Sequence, residues 1–570
     1  MLHRRGLLRL VAGAAAIPAV MQRALAAQLE SGAAVNAEMV RQAEWIAGIE
    51  YTDEQREELA ESLRRSLRDF EALRQVDIDY STAPALQFNP APYLKPAARI
   101  VRDAQPTDAA PPELPLTDEQ LAFLPVTELA ALLRTRRVTS RKLTKLSLAR
   151  LKRFNPLLRC VMTITEELAL RQADQADREI AAGRYRGPLH GVPWGAKDLI
   201  AVDGHPTTWG APMFKDRVLR DTATVARRLD DAGAVLVAKL TLGALAQGDH
   251  WYDQFTRNPW DPEQGSSGSS AGSASAVAAG LVPFALGSET LGSILSPAER
   301  CGVTGLRPTF GRVSRDGCMT LSWTMDKIGP ITRSVEDAAL VLNAIHGSDR
   351  RDPTAVDQPF TWPPTRDLRS LRVGYFKERA DRPEMDVLRR MGVQLVEISL
   401  PDDLPVWPMT VMLNVEATAA FDEFARTGVE EGLNLWPATF RRHQFTPAVE
   451  YLRAARLRTK LLDRMEILMQ TVDLYVEGDD LAITNLTGHP SVRVPSGFRE
   501  RGARRTPRAL KFTGRLFGES ELLSVAHAYQ QATGWHLERP PVERFLAEQQ
   551  EAERRAAAEQ DKQAPADPPE

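Results

Sequence analysis

Gln264-Gly-Ser-Ser-Gly-Ser-Ser-Ala-Gly-Ser-Ala-Ser-Ala-Val-Ala-Ala-Gly280 passes directly into Leu281-Val-Pro-Phe-Ala-Leu286 and then into Gly287-Ser-Glu-Thr-Leu-Gly-Ser-Ile294. Glycine and serine alone would make a flexible linker. A linker, however, has no reason to be embedded between core elements, and this block leads into an alanine-rich helical stretch ending at Gly280 and then into a short apolar strand. Two serine-rich turns flanking one helix and one strand can converge at one end of a sheet, where backbone NH groups can point at an anion. An acyl-transfer site needs that geometry.

The alternation extends to both sides of the block. From Gly187 onward, short apolar runs such as Ala234-Val-Leu-Val-Ala238 alternate with helical stretches such as Thr222 to Ala232. This predicts an α/β fold whose sheet is covered by helices on both faces. Thr127 to Thr135 and Ser140 to Leu151 read as helices with Thr127 and Ser140 at their N-caps. Arg372-Val-Gly-Tyr-Phe376 and Val393 to Leu400 read as strands around a helix from Met385 to Met391, set apart as a small subdomain. Between Glu38 and Arg74, apolar residues recur every three or four positions among Glu and Arg, the pattern of an amphipathic helical cap. The Pro-rich stretch Ala83 to Pro115 reads as a surface linker, because proline fixes φ and removes donors. No large apolar residue follows Leu546, so the tail from Ala547 reads as disordered.

A serine hydroxyl is a poor nucleophile until a base takes its proton, and histidine is the usual base. The nine histidines are scattered, and only His190 lies near a glycine-rich motif. Lysine serves instead when burial lowers its pKa from about 10.4. Lys197, in Gly191-Val-Pro-Trp-Gly-Ala-Lys-Asp-Leu-Ile200, is a lone cation in an apolar strand-like run with Asp198 as its charged neighbour. Gly268-Ser-Ser-Ala-Gly272 also fits a Gly-x-Ser-x-Gly elbow, which would make Ser270 the nucleophile. Such an elbow follows a buried strand, whereas Asn258-Pro-Trp-Asp-Pro-Glu-Gln-Gly265 carries two prolines and several polar groups.

With 43% hydrophobic and 26% charged residues the chain has the composition of an ordinary globular protein. A net charge of -3 gives no electrostatic reason to expect nucleic acid or an anionic membrane as partner. After the first residues no segment holds the roughly 18 apolar residues of a spanning helix. No cysteine pair, His-x-x-x-His spacing or phosphate loop is present, so neither metal nor cofactor is expected. Cys160, Cys301 and Cys318 read as small buried side chains, and Trp407 and Trp436 as core packing in preference to pocket lining. Arg4 and Arg5 precede a modestly apolar stretch from Leu10 to Val20 and the small-x-small site Ala24-Leu25-Ala26. That order reads as a twin-arginine export signal over residues 1–27, and hence as a periplasmic protein.

Taken in order, these motifs resemble the amidase signature family. Gly191 to Ile200 followed by Gly204-His-Pro-Thr-Thr-Trp-Gly210 is similar to the family's lysine motif. Ser267 to Ile294, continuing into Cys301-Gly-Val-Thr-Gly-Leu-Arg-Pro308, is similar to its serine motif. Thr256-Arg-Asn-Pro-Trp260, Gly329-Pro-Ile-Thr-Arg-Ser-Val-Glu-Asp337 and Asn485-Leu-Thr-Gly-His-Pro490 extend the likeness, which runs from about residue 116 to 540. The resemblance implies an amidase signature fold, a mixed twisted sheet sandwiched between helices, here with an N-terminal helical extension. The chain then divides into a signal (1–27), extension and linker (28–115), catalytic domain (116–546) and tail (547–570).

The resemblance also implies roles. Lys197 falls on the family's base, Ser269, held by a cis peptide, on its bridging proton relay, and Ser293 on its nucleophile. The backbone NH groups of Thr290, Leu291, Gly292 and Ser293 would form the oxyanion hole, and Ser270 would support Lys197 and Ser269 by hydrogen bonding. The implied activity is hydrolysis of a small-molecule amide without a cofactor, with the oligomeric state open between monomer and homodimer. Alternatives are an esterase or carbamate hydrolase using the same triad, and a non-catalytic family member. A further one, the glutaminase component of a tRNA-dependent amidotransferase, is incompatible with an export signal. The sequence also departs from the family pattern. The usual Gly-Gly-Ser-Ile-Arg reads Leu291-Gly-Ser-Ile-Leu295, the preceding Asp is Glu289, and Ser267 replaces the first glycine of the serine block. Loss of the arginine at 295 is expected to deprive Glu289 of a partner, and Leu291 to narrow the site or tilt substrate preference.

Overall fold

The computed structural model describes residues 35–47, 49–76, 86, 88–91, 94–95, 104–107, 111–501 and 504–563, so the expected signal at 1–27 lies outside the described residues. Eleven strands join in one mixed sheet. They are β1 (Val161–Ile164), β2 (Pro193–Lys197), β3 (Val235–Leu240), β4 (Phe284–Glu289), β5 (Thr304–Arg307), β6 (Lys327–Thr332), β7 (Arg372–Tyr375), β8 (Gln394–Glu397), β9 (Leu474–Val476), β10 (Ser491–Arg501) and β11 (Arg504–Gly514). Across the sheet the order is β1-β3-β2-β4-β6-β5-β10-β11-β9-β7-β8. β2 runs parallel to both β3 and β4, and β6 lies antiparallel to β4 and β5.

The central strands are buried throughout because helices cover both faces. In β4, Phe284 and Leu286 face one core while Ala285 faces the other; in β3, Leu236 and Val237 divide in the same way. The helices Val126–Arg134, Val335–Ile345 and Ala448–Thr471 pack into the first core, and Ser140–Leu158 and Ala271–Ala278 into the second. Among the described residues, no helix is long and apolar enough to cross a membrane.

Four expectations need correction. The helices expected to be capped by Thr127 and Ser140 begin earlier, with their N-caps two residues and one residue before those positions. The first starts at Val126 after Pro125 without a side-chain cap, and the second is capped by Thr139, whose hydroxyl accepts from the Lys142 NH. Ser140 instead donates its hydroxyl to Gly191 O at 2.8 Å, which ties the helix to the loop before β2. The strands near 372 and 394 form no separate subdomain. β7 pairs with β9 and β8 with β7, so both extend the main sheet, their short parallel ladders joined by the helix Pro383–Met391. The tail is helical as far as Gln563, because the helix Val542–Gln563 is rich in alanine and carries pairs such as Arg555 to Glu551 four residues apart. Val542, Phe545 and Leu546 anchor its first turns in the second core.

The fourth correction concerns the Pro-rich stretch, whereas the helices of the N-terminal extension form as expected. Two helices form, Ala37–Ala47 and Asp53–Arg74, the second opened by a capping box between Thr52 and Gln55. The extension docks on the helical layer of the catalytic body: Gln55 donates to Glu430 and Arg74 to Glu450, each at 2.8 Å. The Pro-rich stretch is more than a surface linker, since its described residues Phe88, Ala91 and Ala104 are buried.

Candidate active site

Lys197 closes β2, a strand buried along its whole length between β3 and β4. Its side chain is fully buried, as a lone cation in an apolar strand-like run suggests. Asp198 follows directly but turns to the other side. There it pairs with buried Lys239 at 2.7 Å and accepts the NH and hydroxyl of Thr208. Asp198 is therefore committed elsewhere and does not hold Lys197 in its charged form. Burial lowers the Lys197 ammonium from the ordinary lysine range to about 7, with the carboxylates of Asp326 and Glu289 opposing the shift.

Lys197 Nζ sits among three serines. It lies 2.8 Å from Ser269 Oγ, 2.8 Å from Ser288 Oγ and 3.2 Å from Ser270 Oγ. Ser269 is fully buried, and the Gly268–Ser269 peptide is cis. The hydroxyl inventory separates the serines. Ser270 donates to Ser288 O and accepts from the Ser288 NH, both at 3.1 Å, so its proton is already spent. Gly287 makes this approach possible, because a Cβ there would stand 2.6 Å from Ser270 Oγ. Ser270 is fully buried, and the strand before it, Asp261–Gly265, belongs to a separate two-stranded sheet. A nucleophile elbow has neither property.

The second turn meets the first through the Ser270 NH, which donates to Ser293 O at 3.0 Å. Ser293 itself is half-buried, and Gly292 before it has φ +91°, a backbone state that side-chain-bearing residues rarely adopt. Glu289 braces the turn from below. Its carboxylate accepts the NH groups of Ile294 (2.9 Å) and Leu295 (3.0 Å), the Asn485 amide (3.1 Å) and Arg307 Nη1 (2.8 Å). The expected loss of a partner through Leu295 is thus corrected: Arg307, on β5, supplies the cation, and both it and Glu289 are fully buried. Burial would raise the Glu289 carboxyl, but Arg307, Lys327 and the two NH groups outweigh it and hold it at about 2. Among the described residues no protein acceptor takes the NH groups of Leu291, Gly292 or Ser293, which leaves them available to a ligand.

Sequence reasoning missed Ser288, Arg307 and Asp326. Ser288 is detectable only once β2 and β4 are known to be parallel neighbours ending on one edge. Asp326 accepts the Thr290 hydroxyl at 2.5 Å and the NH groups of Leu321 and Ser322, fixing the start of the turn from a loop 36 residues away. Next to these residues lies a cavity of about 260 Å³, walled by Ser288, Thr290, Met319, Leu321, Trp323 and Ile328. Cys318 is half-buried and lines it, so this cysteine is more than core filling. Trp436 is core packing as expected, whereas Trp407 is exposed and Trp323 takes the place at the cavity wall. A larger groove of about 750 Å³ runs between the helices Glu166–Ala181 and Thr224–Asp231. None of Lys197, Ser269 and Ser293 lines either space, but Ser288, Thr290 and Asp326 join the smaller one to the site.

The family model described as Amidase matches residues 142–478, which hold all three of those residues. The chain is 37% identical to a glutamyl-tRNA(Gln) amidotransferase subunit of Chloroflexus aurantiacus, over 74% of this chain and 99% of that protein. The protein named AmiD of Mycobacterium tuberculosis is 35% identical, over 76% of this chain and 99% of its own length. Among solved structures, the peptide amidase from Stenotrophomonas maltophilia superposes with a TM-score of 0.63 at 30% identity, over 73% of this chain and 98% of that one. The large mixed sheet flanked by helices is therefore that of a known enzyme family, and the chain belongs to the Amidase family.

Proposed function

We propose that this chain hydrolyses carboxylic amides through an acyl-enzyme on Ser293, with Ser269 relaying protons to Lys197. The observation that carries the proposal is the placement of a fully buried lysine amine 2.8 Å from the hydroxyl of Ser269. A neutral amine there has a lone pair for that hydroxyl proton, and its own N–H groups have Ser270 Oγ and Ser288 O within reach. Ser269 passes its proton to Lys197 while taking that of Ser293, whose oxygen bonds to the substrate carbonyl carbon. The negative charge that develops on the carbonyl oxygen is received by the NH groups of Thr290, Leu291, Gly292 and Ser293. Collapse breaks the C–N bond as Ser269 donates a proton to the leaving nitrogen and regains one from Lys197. Water then enters by the same proton path, the ester to Ser293 is cleaved, and acid is released.

A second reading is that the chain frees ammonia from glutamine as one component of an amidotransferase, favoured by the name of its 37% identical relative. The twin-arginine pattern at Arg4 and Arg5 weighs against it, because an exported enzyme would be parted from tRNA. On this reading of the pattern, the protein works outside the cytoplasm.

The test is a panel of carboxamides, anilides, carbamates and esters, with free glutamine included, assayed across pH. Amide cleavage is expected, with kcat/KM rising with pH and levelling above a midpoint near 7, since only the neutral Lys197 accepts a proton. Ser270→Ala should retain far more activity than Ser293→Ala. Cleavage of esters alone would replace the proposal with an esterase, cleavage of glutamine alone would favour the second reading, and an acid limb near pH 4 would assign the base to a carboxylate.

A further inference from the structure

The segment around Phe88 precedes the stretch that the family shares, yet it is buried against the catalytic body. The Phe88 ring lies tilted against Phe310, with centroids 4.7 Å apart, and covers the Arg458 guanidinium, whose central carbon lies 3.3 Å from the ring centroid. Arg458 projects from the helix Ala448–Thr471 and is fully buried. Its hydrogen-bond acceptors are uncharged: Nε donates to Leu486 O, Nη1 to Thr324 Oγ1 and Nη2 to Thr324 O, at 2.5, 2.8 and 2.6 Å. Burial lowers its pKa to about 9, opposed by the charge of Glu416, and an aromatic face over a desolvated cation restores part of what hydration supplied.

The two segments that Arg458 holds converge on the same place. On one side, Thr324 belongs to the loop that ends in Asp326, and Asp326 accepts the Thr290 hydroxyl. Glu416 grips this loop from the far side by accepting from the Thr324 NH, the Thr324 hydroxyl and the Ser322 hydroxyl. On the other side, Leu486 follows Asn485, whose amide donates to Glu289 and whose oxygen accepts from Lys327. Lys327 also lies 3.4 Å from Thr290 O. Both arms therefore terminate at residues 289 and 290, the start of the turn that carries Ser293.

We infer that the N-terminal extension is a working part of the active site, Phe88 acting as a positioning residue that seats Arg458 and through it the turn bearing the oxyanion-binding NH groups. The inference rests on the proposed amide hydrolysis. It assigns the extension a role in rate: displacement of a reacting geometry by about 1 Å costs on the order of 100-fold.

The experiment compares Phe88→Leu, which keeps apolar bulk without an aromatic face, with Phe88→Trp, which keeps the face, and with Arg458→Lys, which keeps charge but loses the fork. Each is assayed in the full chain for kcat, KM and melting temperature on an amide that the unaltered protein cleaves. Phe88→Leu and Arg458→Lys should lower kcat 10- to 100-fold with KM changed less than threefold, while Phe88→Trp retains kcat within threefold. If Phe88→Leu and Arg458→Lys melt at lower temperature but keep the kcat of the unaltered protein, the extension is a structural prop and the inference is wrong. Loss of kcat in Phe88→Trp equal to that in Phe88→Leu would also overturn it. If the unaltered protein cleaves no amide, it is the proposed function that fails.

Discussion

Lys197→Ala is expected to lower kcat for amide hydrolysis by at least about 10⁴-fold, more than any single change outside the three proton-handling residues. The amine is the terminus of the proposed proton path, and no other base touches Ser269 among its described contacts. Lys197→Arg should be no better, because a guanidinium stays charged and offers no lone pair. The loss is chemical in origin. Removing the amine leaves the hydroxyls of Ser269 and Ser288 short of a partner, at about 1–3 kcal/mol, while removing the need to keep a buried amine uncharged. A melting curve close to that of the unaltered protein, together with a collapsed kcat, is the predicted pair of results. A kcat within tenfold would show that Lys197 is not the base.

The second large effect is on stability. Glu289→Ala should destabilise the fold by about 3–5 kcal/mol, because it leaves the Arg307 guanidinium buried without its carboxylate. It also strips acceptors from the Ile294 and Leu295 NH groups and from Asn485, so the nucleophile turn loses its floor. Replacing both partners with apolar residues, as in Glu289→Leu with Arg307→Met, should recover part of the loss, since no charge is then stranded. Denaturant unfolding of the single and double variants measures this. A single-variant loss below about 1 kcal/mol would mean that the pair is not the brace described.

Much of this was legible in the sequence, and what was not has physical reasons. Alternating apolar runs announced a sheet covered on both faces, and the Gly287 to Ile294 turn lies where two serine-rich turns had to meet. Lys197 stood out because a lone cation in an apolar strand must be buried and answered. Arg307, Ser288 and Asp326 did not stand out, because each acts across strands or loops whose pairing no local pattern encodes. Leu295 misled for the same reason: the cation that answers Glu289 arrives from β5, 18 residues further along the chain. The tail erred in the other direction. Its composition spoke for disorder, whereas alanine propensity, pairs four residues apart and the anchoring of Phe545 favour helix. Phe88 was hidden inside a Pro-rich stretch, where composition speaks only of surface.

The most direct test of the mechanism is covalent. Incubation with a fluorophosphonate, which captures an activated serine, followed by peptide mapping by mass spectrometry, should find a single adduct on Ser293. The rate of its formation should fall when Lys197 is replaced. An adduct on Ser270, or on Ser269 with Ser293 unmodified, would contradict the assignment of nucleophile and relay on which the mechanism stands.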